Sequence, residues 1–416
     1  MMKRILLIGL GFIGSLAAAD EYWLTNAKLA TGPDGIGVIR DIHVKNGRIE
    51  ALGQGLKVGL PAKVIDLKAA LVTPGFIDSA TTIGLAEVSG LGVSQDGEVA
   101  DDDMAAGFRV GLALNDASVL IPVASNDGIT RGVVVPEPGD SNFAGISALV
   151  RFQRGEGFIV SDALAQHLYL REWDRRHAGG SRASALASVV HALEESARFD
   201  QQRRDFNSRK YRAFEMSAAD LQALSEVRTG RMKLVAHVDR AADIRHLIAA
   251  LEDFPEIRLV LAGATEAWKV SKLLAAKDIP VLLSIMNNLP ENFDRLGARL
   301  DHATLLDADG VQFAFMSGSP YSEFRSLSQA AGVAVAYGLS WTTAIAAITR
   351  SPAQIWGLED LGVIEPGAIA DLVIWDGDPL EVTSAPTAVM IDGAWVDLST
   401  RHKALAERYR DLLDLK

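Results

Sequence analysis

The chain contains no cysteine among its 416 residues. Disulfide bonds, thiolate metal ligands, iron–sulfur clusters and cysteine nucleophiles are therefore excluded together. Aromatic side chains are few, at 6% of the residues, whereas 49% of the residues are apolar. This composition excludes a disordered chain and provides enough apolar surface for a large core.

Basic side chains are outnumbered, because 41 Lys and Arg stand against 53 Asp and Glu and give a formal net charge of −12. The negative balance argues against nucleic acid or an anionic membrane surface as a partner. Long apolar runs are also scarce. Residues 5–19 form the one strongly apolar stretch, and it is shorter than the ~20 residues that a membrane-spanning helix needs.

This N-terminal stretch has the features of a secretory signal peptide. Lys3 and Arg4 form a basic start, residues 5–16 an apolar centre, and Ala17-x-Ala19 a small-residue cleavage site. We therefore expect residues 1–19 to be removed. The mature protein is then expected to be periplasmic or secreted, with no membrane contact.

The same stretch supports a second interpretation. Gly9-x-Gly11-x-x-Gly14 after an apolar segment matches the dinucleotide-binding fingerprint. That fingerprint needs an acidic residue at the end of a second strand ~20 residues further on. The acid near that distance, Asp34, lies within a turn instead. The context favours the signal peptide, with a nucleotide-binding loop and an uncleaved anchor as the alternatives.

Short strands and turns are predicted at both ends of the mature chain. Asn46-Gly47 and Asp392-Gly393 are hairpin turn signals that lie between short apolar segments. The N-terminal strands are predicted at residues 23–29, 37–44, 48–52 and 63–66, and the C-terminal ones at 370–375, 388–391 and 394–396.

The middle of the chain alternates apolar runs with helical patterns. Continuous apolar runs of four to seven residues are typical of parallel strands that are covered on both faces. Repetition of such units over nearly 300 residues favours a (β/α)8 TIM-like barrel over a doubly wound sheet. The runs lie at 132–135, 234–238, 257–261, 279–285 and 311–316, and the helices at 218–228, 240–252, 265–277, 323–337 and 341–350.

Two segments carry a resemblance to the amidohydrolase superfamily, in its imidazolonepropionase-like and prolidase-like branch. Residues 71–78, Leu-Val-Thr-Pro-Gly-Phe-Ile-Asp, resemble the family's first barrel strand, and residues 362–380 resemble the return of the chain into its β domain. The resemblance implies an α/β fold with a barrel over residues 74–366. It also implies a small β-sandwich built from residues 20–73 and 367–398. Beyond the resemblance, we expect a C-terminal helix at 399–416.

The chain departs from the family at the positions of the usual metal ligands. The family's His-x-His pair corresponds to Ala80 and Thr82, and its metal-binding aspartate to Gly318. His237 fits the histidine of the fifth strand. A catalytic zinc needs about three protein ligands, so we expect either no cofactor or a weakly held zinc at His237.

The candidate site residues follow the carboxyl ends of the predicted strands, where barrel enzymes place their catalytic groups. His237 is the leading candidate, to orient water or a metal, and its alternative role is that of a core histidine bonded to a carbonyl. The other candidates follow the predicted strands and have solvated loop positions as their alternative. They are Asp239 and Glu266 for acid–base catalysis, and Arg240, Asn287, Asn288, Ser317 and Tyr321 for substrate binding.

Two functions remain open from the sequence. The resemblance implies an exported hydrolase that acts on amide or cyclic amide C–N bonds of a small molecule or dipeptide. The missing ligands favour instead a catalytically inactive binding or assembly partner of an active paralogue, because a fold persists after its site is lost. Either protein is compatible with a homo-oligomer, or with a complex with a paralogous amidohydrolase.

Overall fold

The computed structural model describes most of the chain beyond the predicted signal peptide, which lies outside the described residues together with the glycine motif in it. The described residues are 21–30, 37–57, 63–88, 91–100, 104–207, 214–286, 288–317, 327–399 and 401–412.

The N-terminal residues form five strands of one sheet. These are β1 (Glu21–Leu29), β2 (Ile39–Lys45), β3 (Arg48–Gly53), β4 (Lys63–Asp66) and β5 (Leu71–Pro74). Asn46 and Gly47, with φ of 52° and 77°, make the predicted two-residue turn between β2 and β3. The pairing of β1 with β2 shifts between Leu24 and Ala27, and β1 pairs with β4 before this bulge and with β5 after it.

Ten further strands occupy the middle of the chain in two sheets. The order is β10-β9-β7-β6 in the four-stranded sheet and β15-β14-β13-β12-β11-β8 in the six-stranded one, and β11 to β15 are parallel. The strands are β6 (Phe76–Thr81), β7 (Ile129–Val134), β8 (Phe143–Ile146), β9 (Ala148–Arg151), β10 (Ile159–Ser161), β11 (Ala165–Tyr169), β12 (Lys233–Val238), β13 (Leu259–Gly263), β14 (Val281–Leu283) and β15 (Phe313–Phe315). Each of the five predicted apolar runs overlaps one of them, and the runs at 279–285 and 311–316 contain β14 and β15 entirely.

These two sheets share an apolar cluster and are joined at one edge. The N–H of Ile77 in β6 donates to the carbonyl of Ile348 at 2.8 Å, and the N–H of Phe315 in β15 donates to the carbonyl of Ala347 at 2.8 Å. Two adjacent residues therefore connect the edge strands of both sheets. The cluster takes small and aliphatic side chains from eight strands: Ala80, Val133, Leu149, Ala165, Val235, Val260, Leu282 and Ala314.

Helices follow most of the parallel strands, as the repeated pattern predicts. Ser217 caps the predicted helix at 218–228 by accepting the N–H of Asp220. The helices are α1 (Ile121–Asn126), α2 (Arg182–Asn207), α3 (Ala218–Arg228), α4 (Ala241–Ala250), α5 (Ser271–Ala276), α6 (His302–Ala308), α7 (Leu327–Ala336), α8 (Trp341–Ala346), α9 (Arg350–Trp356) and α10 (Arg401–Leu412). None of the helices in the described ranges is long and apolar enough to cross a membrane.

One predicted helix is divided in the structure. The pattern at 341–350 predicts a single helix, but α8 ends at Ala346 and α9 begins at Arg350. The carbonyls of Ala347 and Ile348 between them accept hydrogen bonds from the strands β15 and β6. Tertiary hydrogen bonds therefore override the helical pattern at this point.

The C-terminal strands complete the first sheet. They are β16 (Leu372–Trp375), β17 (Pro386–Ile391) and β18 (Ala394–Trp395), and β16 pairs antiparallel with β5. The order is β18-β17-β16-β5-β1-β2-β3, with β4 paired to β1. Both ends of the chain thus share one eight-stranded sheet, as expected for a composite β unit. The sandwich arrangement and the domain boundaries stay predictions.

Candidate active site

A small cavity lies at the carboxyl ends of the strands in the middle of the chain. Its volume is about 190 Å³, and it opens where β6, β7, β11, β12 and β13 end. The carboxyl ends of parallel strands are the usual place for catalytic groups in α/β proteins. Its most polar lining residues are Glu137, Tyr169, Arg171, His237, Asp239 and Arg295.

Two histidines on neighbouring strands form a direct pair beside this cavity. The Nδ1 atom of His167 on β11 lies 3.0 Å from the Nε2 atom of His237 on β12. His167 is fully buried, whereas His237 is 8% exposed and lines the cavity. Ala165 and Val235 belong to the shared apolar cluster, and each lies two residues before one of the histidines. Residues two apart in a strand point to the same side, so both imidazoles lie on the side of that cluster. The strand period therefore brings the two rings together.

A stack of planar groups fixes the orientation of His237. The ring of Tyr169 stacks on the imidazole with 3.9 Å between centroids and 8° between planes. The Tyr169 hydroxyl donates to the carbonyl of Pro136 at 2.7 Å, and the guanidinium of Arg171 lies 4.6 Å from the Tyr169 ring centroid. Because Arg171 is itself held by Asp174 at 2.9 Å, the stack is anchored at both ends.

Burial keeps both imidazoles uncharged. It lowers the pKa of His167 to about 3 and holds the pKa of His237 well below its ordinary value, with smaller contributions from His167 and Arg171. Burial likewise raises the pKa of Tyr169 above its usual range. The pair is therefore neutral at pH 7 and acts through hydrogen bonds.

The two carboxylates at the cavity have different surroundings. Asp239 is buried, accepts the hydroxyl of Thr265 at 2.8 Å and pairs with Arg295 at 3.2 Å. Partial burial raises the pKa of Glu137, with the charge of Glu98 acting in the same direction and Arg171 in the opposite one. Asp239 is thus held as an ion pair, while Glu137 is suited to proton transfer.

The structure brings only part of the predicted site to this cavity. His237 and Asp239 line it, as expected. The carboxylate of Glu266 points elsewhere, because it accepts the N–H of Ala241 at 3.1 Å and pairs with Lys269.

Among the predicted substrate-binding residues that the structure describes, Arg240, Asn288 and Ser317 do not line the cavity. Arg240 precedes α4 and lines a separate groove between α2 and α4. The amide of Asn288 donates to the carbonyl of Arg299. Ser317 donates its N–H at 3.0 Å and its hydroxyl to the buried carboxylate of Asp78. The predicted residues Asn287 and Tyr321, and the Gly318 position, lie outside the described residues.

Sequence reasoning missed three residues that shape the site. His167, Tyr169 and Arg171 alternate along one side of β11 and the residues that follow it. This segment was not predicted as a strand because Gln166 and His167 interrupt its apolar residues. The sequence feature that could have revealed the strand is the two-residue period from Ala165 onward. This period places His167, Tyr169 and Arg171 on a single face.

The donors at the cavity do not fit a three-ligand zinc centre. His167 and His237 supply two imidazoles, but they bond to each other, and Ala80 and Ala262 offer no ligand atom. Within the described ranges, no three or more His, Asp or Glu side chains are grouped so that they could hold a metal ion. Since a catalytic zinc needs about three protein ligands, these side chains do not form a catalytic zinc site.

Comparison with known proteins identifies the class to which this fold corresponds. The model of the Amidohydrolase family matches residues 300–397. The crystal structure of an amidohydrolase from Thermotoga maritima MSB8 superposes with a TM-score of 0.82 at 26% identity, over 90% of this chain and 99% of that one. The chain therefore shares the mixed α/β fold of the amidohydrolase superfamily, and the predicted resemblance is confirmed.

Two further relatives extend the comparison. The amidohydrolase tasK of Hapsidospora irregularis is 23% identical over an alignment of 399 positions that covers 85% of this chain but 39% of tasK. This chain thus spans about two fifths of that relative's length. A Xaa-Pro dipeptidase with bound methionine superposes with a TM-score of 0.55 at 16% identity, over 91% of this chain and all of that one. That likeness concerns the fold alone.

Proposed function

We propose that this protein is a hydrolase that opens amide or cyclic amide C–N bonds of a small molecule or dipeptide at the His237 cavity. The observation that carries the proposal is the neutral His167–His237 pair beside Glu137 at the carboxyl ends of parallel strands. Proteins of the matching family act on small-molecule or dipeptide substrates. The cavity volume of about 190 Å³ is below the ~300–1,000 Å³ of typical ligand pockets, so it suits the reacting group with a small substituent.

The proposed reaction uses Glu137 as the general base. The Glu137 carboxylate takes a proton from water while the water oxygen forms a bond to the carbonyl carbon. The C–N bond then breaks, and the same proton passes to the leaving nitrogen, so that Glu137 is regenerated. The pKa of Glu137 is raised towards neutral pH. A carboxyl whose pKa is closer to the working pH both accepts and returns a proton more efficiently.

We infer that the strands from β6 to β15 close into a (β/α)8 barrel and that the eight-stranded sheet belongs to a sandwich domain. The hydrogen bonds of Ile77 and Phe315 to the adjacent carbonyls of Ile348 and Ala347 support closure. The apolar cluster with contributions from eight strands supports it too, because inward-facing side chains fill a closed barrel.

Export to the periplasm or the medium is also proposed. It rests on the basic, apolar and Ala17-x-Ala19 segments of the first nineteen residues. Mass spectrometry of protein isolated from its own cells is expected to give Asp20 as the first residue. An intact N-terminus in the cytosolic fraction would contradict export.

A substrate screen on the purified full chain tests the catalytic proposal. Dipeptides, lactams and hydantoins are incubated with the protein, and amine release is followed. Glu137→Gln is expected to lower kcat about 10²- to 10⁴-fold, the usual contribution of a general base. Glu359→Gln is the matched control, because Glu359 is exposed after α9, and its activity should equal that of the unsubstituted protein.

The outcomes separate the two functions. Hydrolysis that survives both Glu137→Gln and His237→Gln contradicts the assigned site. Absence of turnover on every substrate class, together with co-purification of a paralogous amidohydrolase, replaces the hydrolase with an assembly partner.

A further inference from the structure

We infer that His167 donates the proton in the His167–His237 hydrogen bond, so that His237 presents its Nδ1–H to the cavity as a hydrogen-bond donor for the carbonyl oxygen of an amide. The inference rests on the proposed function and deepens it. It assigns His167 as a positioning residue and gives His237 a role other than that of a base or a metal ligand.

The first step is the proton count of the pair. A neutral imidazole carries one N–H and one bare nitrogen. At 3.0 Å, the ring nitrogens of His167 and His237 share a single proton. In one arrangement, the Nε2–H of His237 donates to a bare Nδ1 of His167. The single N–H of His167 must then be on the Nε2 atom of His167. If His167 donates through Nδ1, its Nε2 is bare.

The second step is the environment of that other nitrogen. The Nε2 atom of His167 is buried and has no hydrogen-bond partner among the described residues. Buried N–H groups without a partner are rarer in proteins than buried acceptors without one. The arrangement in which His167 Nδ1–H donates avoids an unpaired buried N–H and is therefore the favoured one.

The third step is the charge of the cavity that His237 faces. Arg171 is paired with Asp174, and Arg295 with Asp239. The lining holds two carboxylates and two guanidinium groups, and with Asp174 behind Arg171 the acids exceed the arginines by one, which is Glu137. An N–H directed into such a cavity is favoured over a bare nitrogen, because the field of a carboxylate attracts the positive end of the N–H dipole.

The consequence is a rigid, neutral donor at the reacting centre. When water adds to an amide carbon, negative charge develops on the carbonyl oxygen, and a preorganised N–H directed at it stabilises the transition state. Tyr169 holds the ring plane by stacking, and His167 holds the tautomer. The same tautomer leaves His237 no bare nitrogen for a metal, since Nε2 accepts from His167 and Nδ1 carries hydrogen.

Imidazole NMR tests the tautomer directly. The full chain is labelled with ¹⁵N-histidine, and long-range ¹H–¹⁵N spectra at pH 7 distinguish protonated from bare ring nitrogens. His237 and His167 are assigned from the signals that disappear in His237→Gln and His167→Asn. The expected result is a protonated Nδ1 and a bare Nε2 on both rings. A protonated Nε2 on His237 overturns the inference, whether or not any substrate is hydrolysed.

Two additions complete the experiment. Acetamide, the simplest amide probe, is expected to shift the Nδ1–H signal of His237, and Zn²⁺ alone is expected to leave that proton in place. Loss of the Nδ1 proton with Zn²⁺ contradicts the inference.

Two variants test the positioning role of His167. His167→Asn keeps an N–H near the Nδ1 position and should preserve the His237 tautomer, whereas His167→Leu should give a mixture of the two His237 tautomers. An unchanged tautomer in His167→Leu removes His167 from its positioning role.

Discussion

Arg131 on β7 and Asp371 before β16 form a buried, two-point ion pair across 240 residues of sequence. The Nε atom of Arg131 lies 2.7 Å from one carboxylate oxygen, and its NH2 group lies 3.1 Å from the other. Both side chains are 3% exposed. Arg131 also pairs with Asp392, which in turn binds Arg151 at 2.7 Å. These bonds connect the middle of the chain to the sheet built from its two ends.

Removal of one partner of this pair should be costly. Arg131→Met leaves the Asp371 carboxylate buried without its main counter-charge, and such losses typically cost about 3–5 kcal/mol. Urea unfolding should therefore give a free energy lower by about that amount. Arg48→Met is the control, because Arg48 pairs with Asp360 at 2.8 Å with both side chains about half exposed, and exposed pairs contribute about 0–1 kcal/mol. Equal losses in the two variants would contradict the role of burial.

Asp78 gives a pH-dependent prediction. Burial raises its pKa from 3.8 to about 6, although hydrogen bonds from Ser317 and Ala80 act in the opposite direction. Between these two pH values, the folded state binds more protons than the unfolded state, so the contribution of Asp78 to stability falls as pH rises. A shift of this size corresponds to about 3 kcal/mol.

Asp78→Asn should remove this dependence. Unfolding free energies measured at pH 4 and pH 7 should show the unsubstituted protein losing up to about 3 kcal/mol relative to the variant over that interval. All other titrating groups are shared by the two proteins and cancel in the comparison. Parallel pH profiles would mean that Asp78 titrates normally.

Gly132 on β7 should tolerate no side chain. A Cβ atom there would lie 2.6 Å from Cζ of the buried Phe152 and 3.3 Å from Cγ2 of Thr81. Gly132→Ala is expected to lower the free energy of unfolding by about 1–3 kcal/mol, the usual cost of overpacking. Gly92→Ala is the control, since nothing lies within 4 Å of a Cβ atom at that position. A neutral Gly132→Ala would show that Phe152 has room to move.

The donor set at the cavity predicts a low metal content. With Ala80 on β6 and His237 bonded to His167, the purified protein is expected to carry far less than one equivalent of zinc. Elemental analysis measures this, and treatment with EDTA should leave the unfolding midpoint unchanged. One or two tightly bound metal ions per chain would overturn the prediction.

Much of the architecture followed from local sequence patterns. Asn46-Gly47 predicted a hairpin turn because positive φ at two successive positions suits these residues, and the structure has it. The helix at 218–228 followed from its apolar pattern, and the structure adds the Ser217 cap. The division between α8 and α9 was not predictable from local sequence. It depends on hydrogen bonds that the N–H groups of two distant strands, β15 and β6, donate to the carbonyls of Ala347 and Ile348.

The sequence by itself determined the α/β class, the β unit shared by both chain ends and the position of His237 at a strand end, because alternating apolar runs and turn signals are local. Only the tertiary structure decided which polar residues share the cavity. Parallel pairing of β11 with β12 placed His167 against His237, while Glu266 and Ser317 found partners elsewhere. Side-chain contacts between strands depend on register and on the order of the strands in the sheet, and neither is encoded in the spacing of residues along one segment.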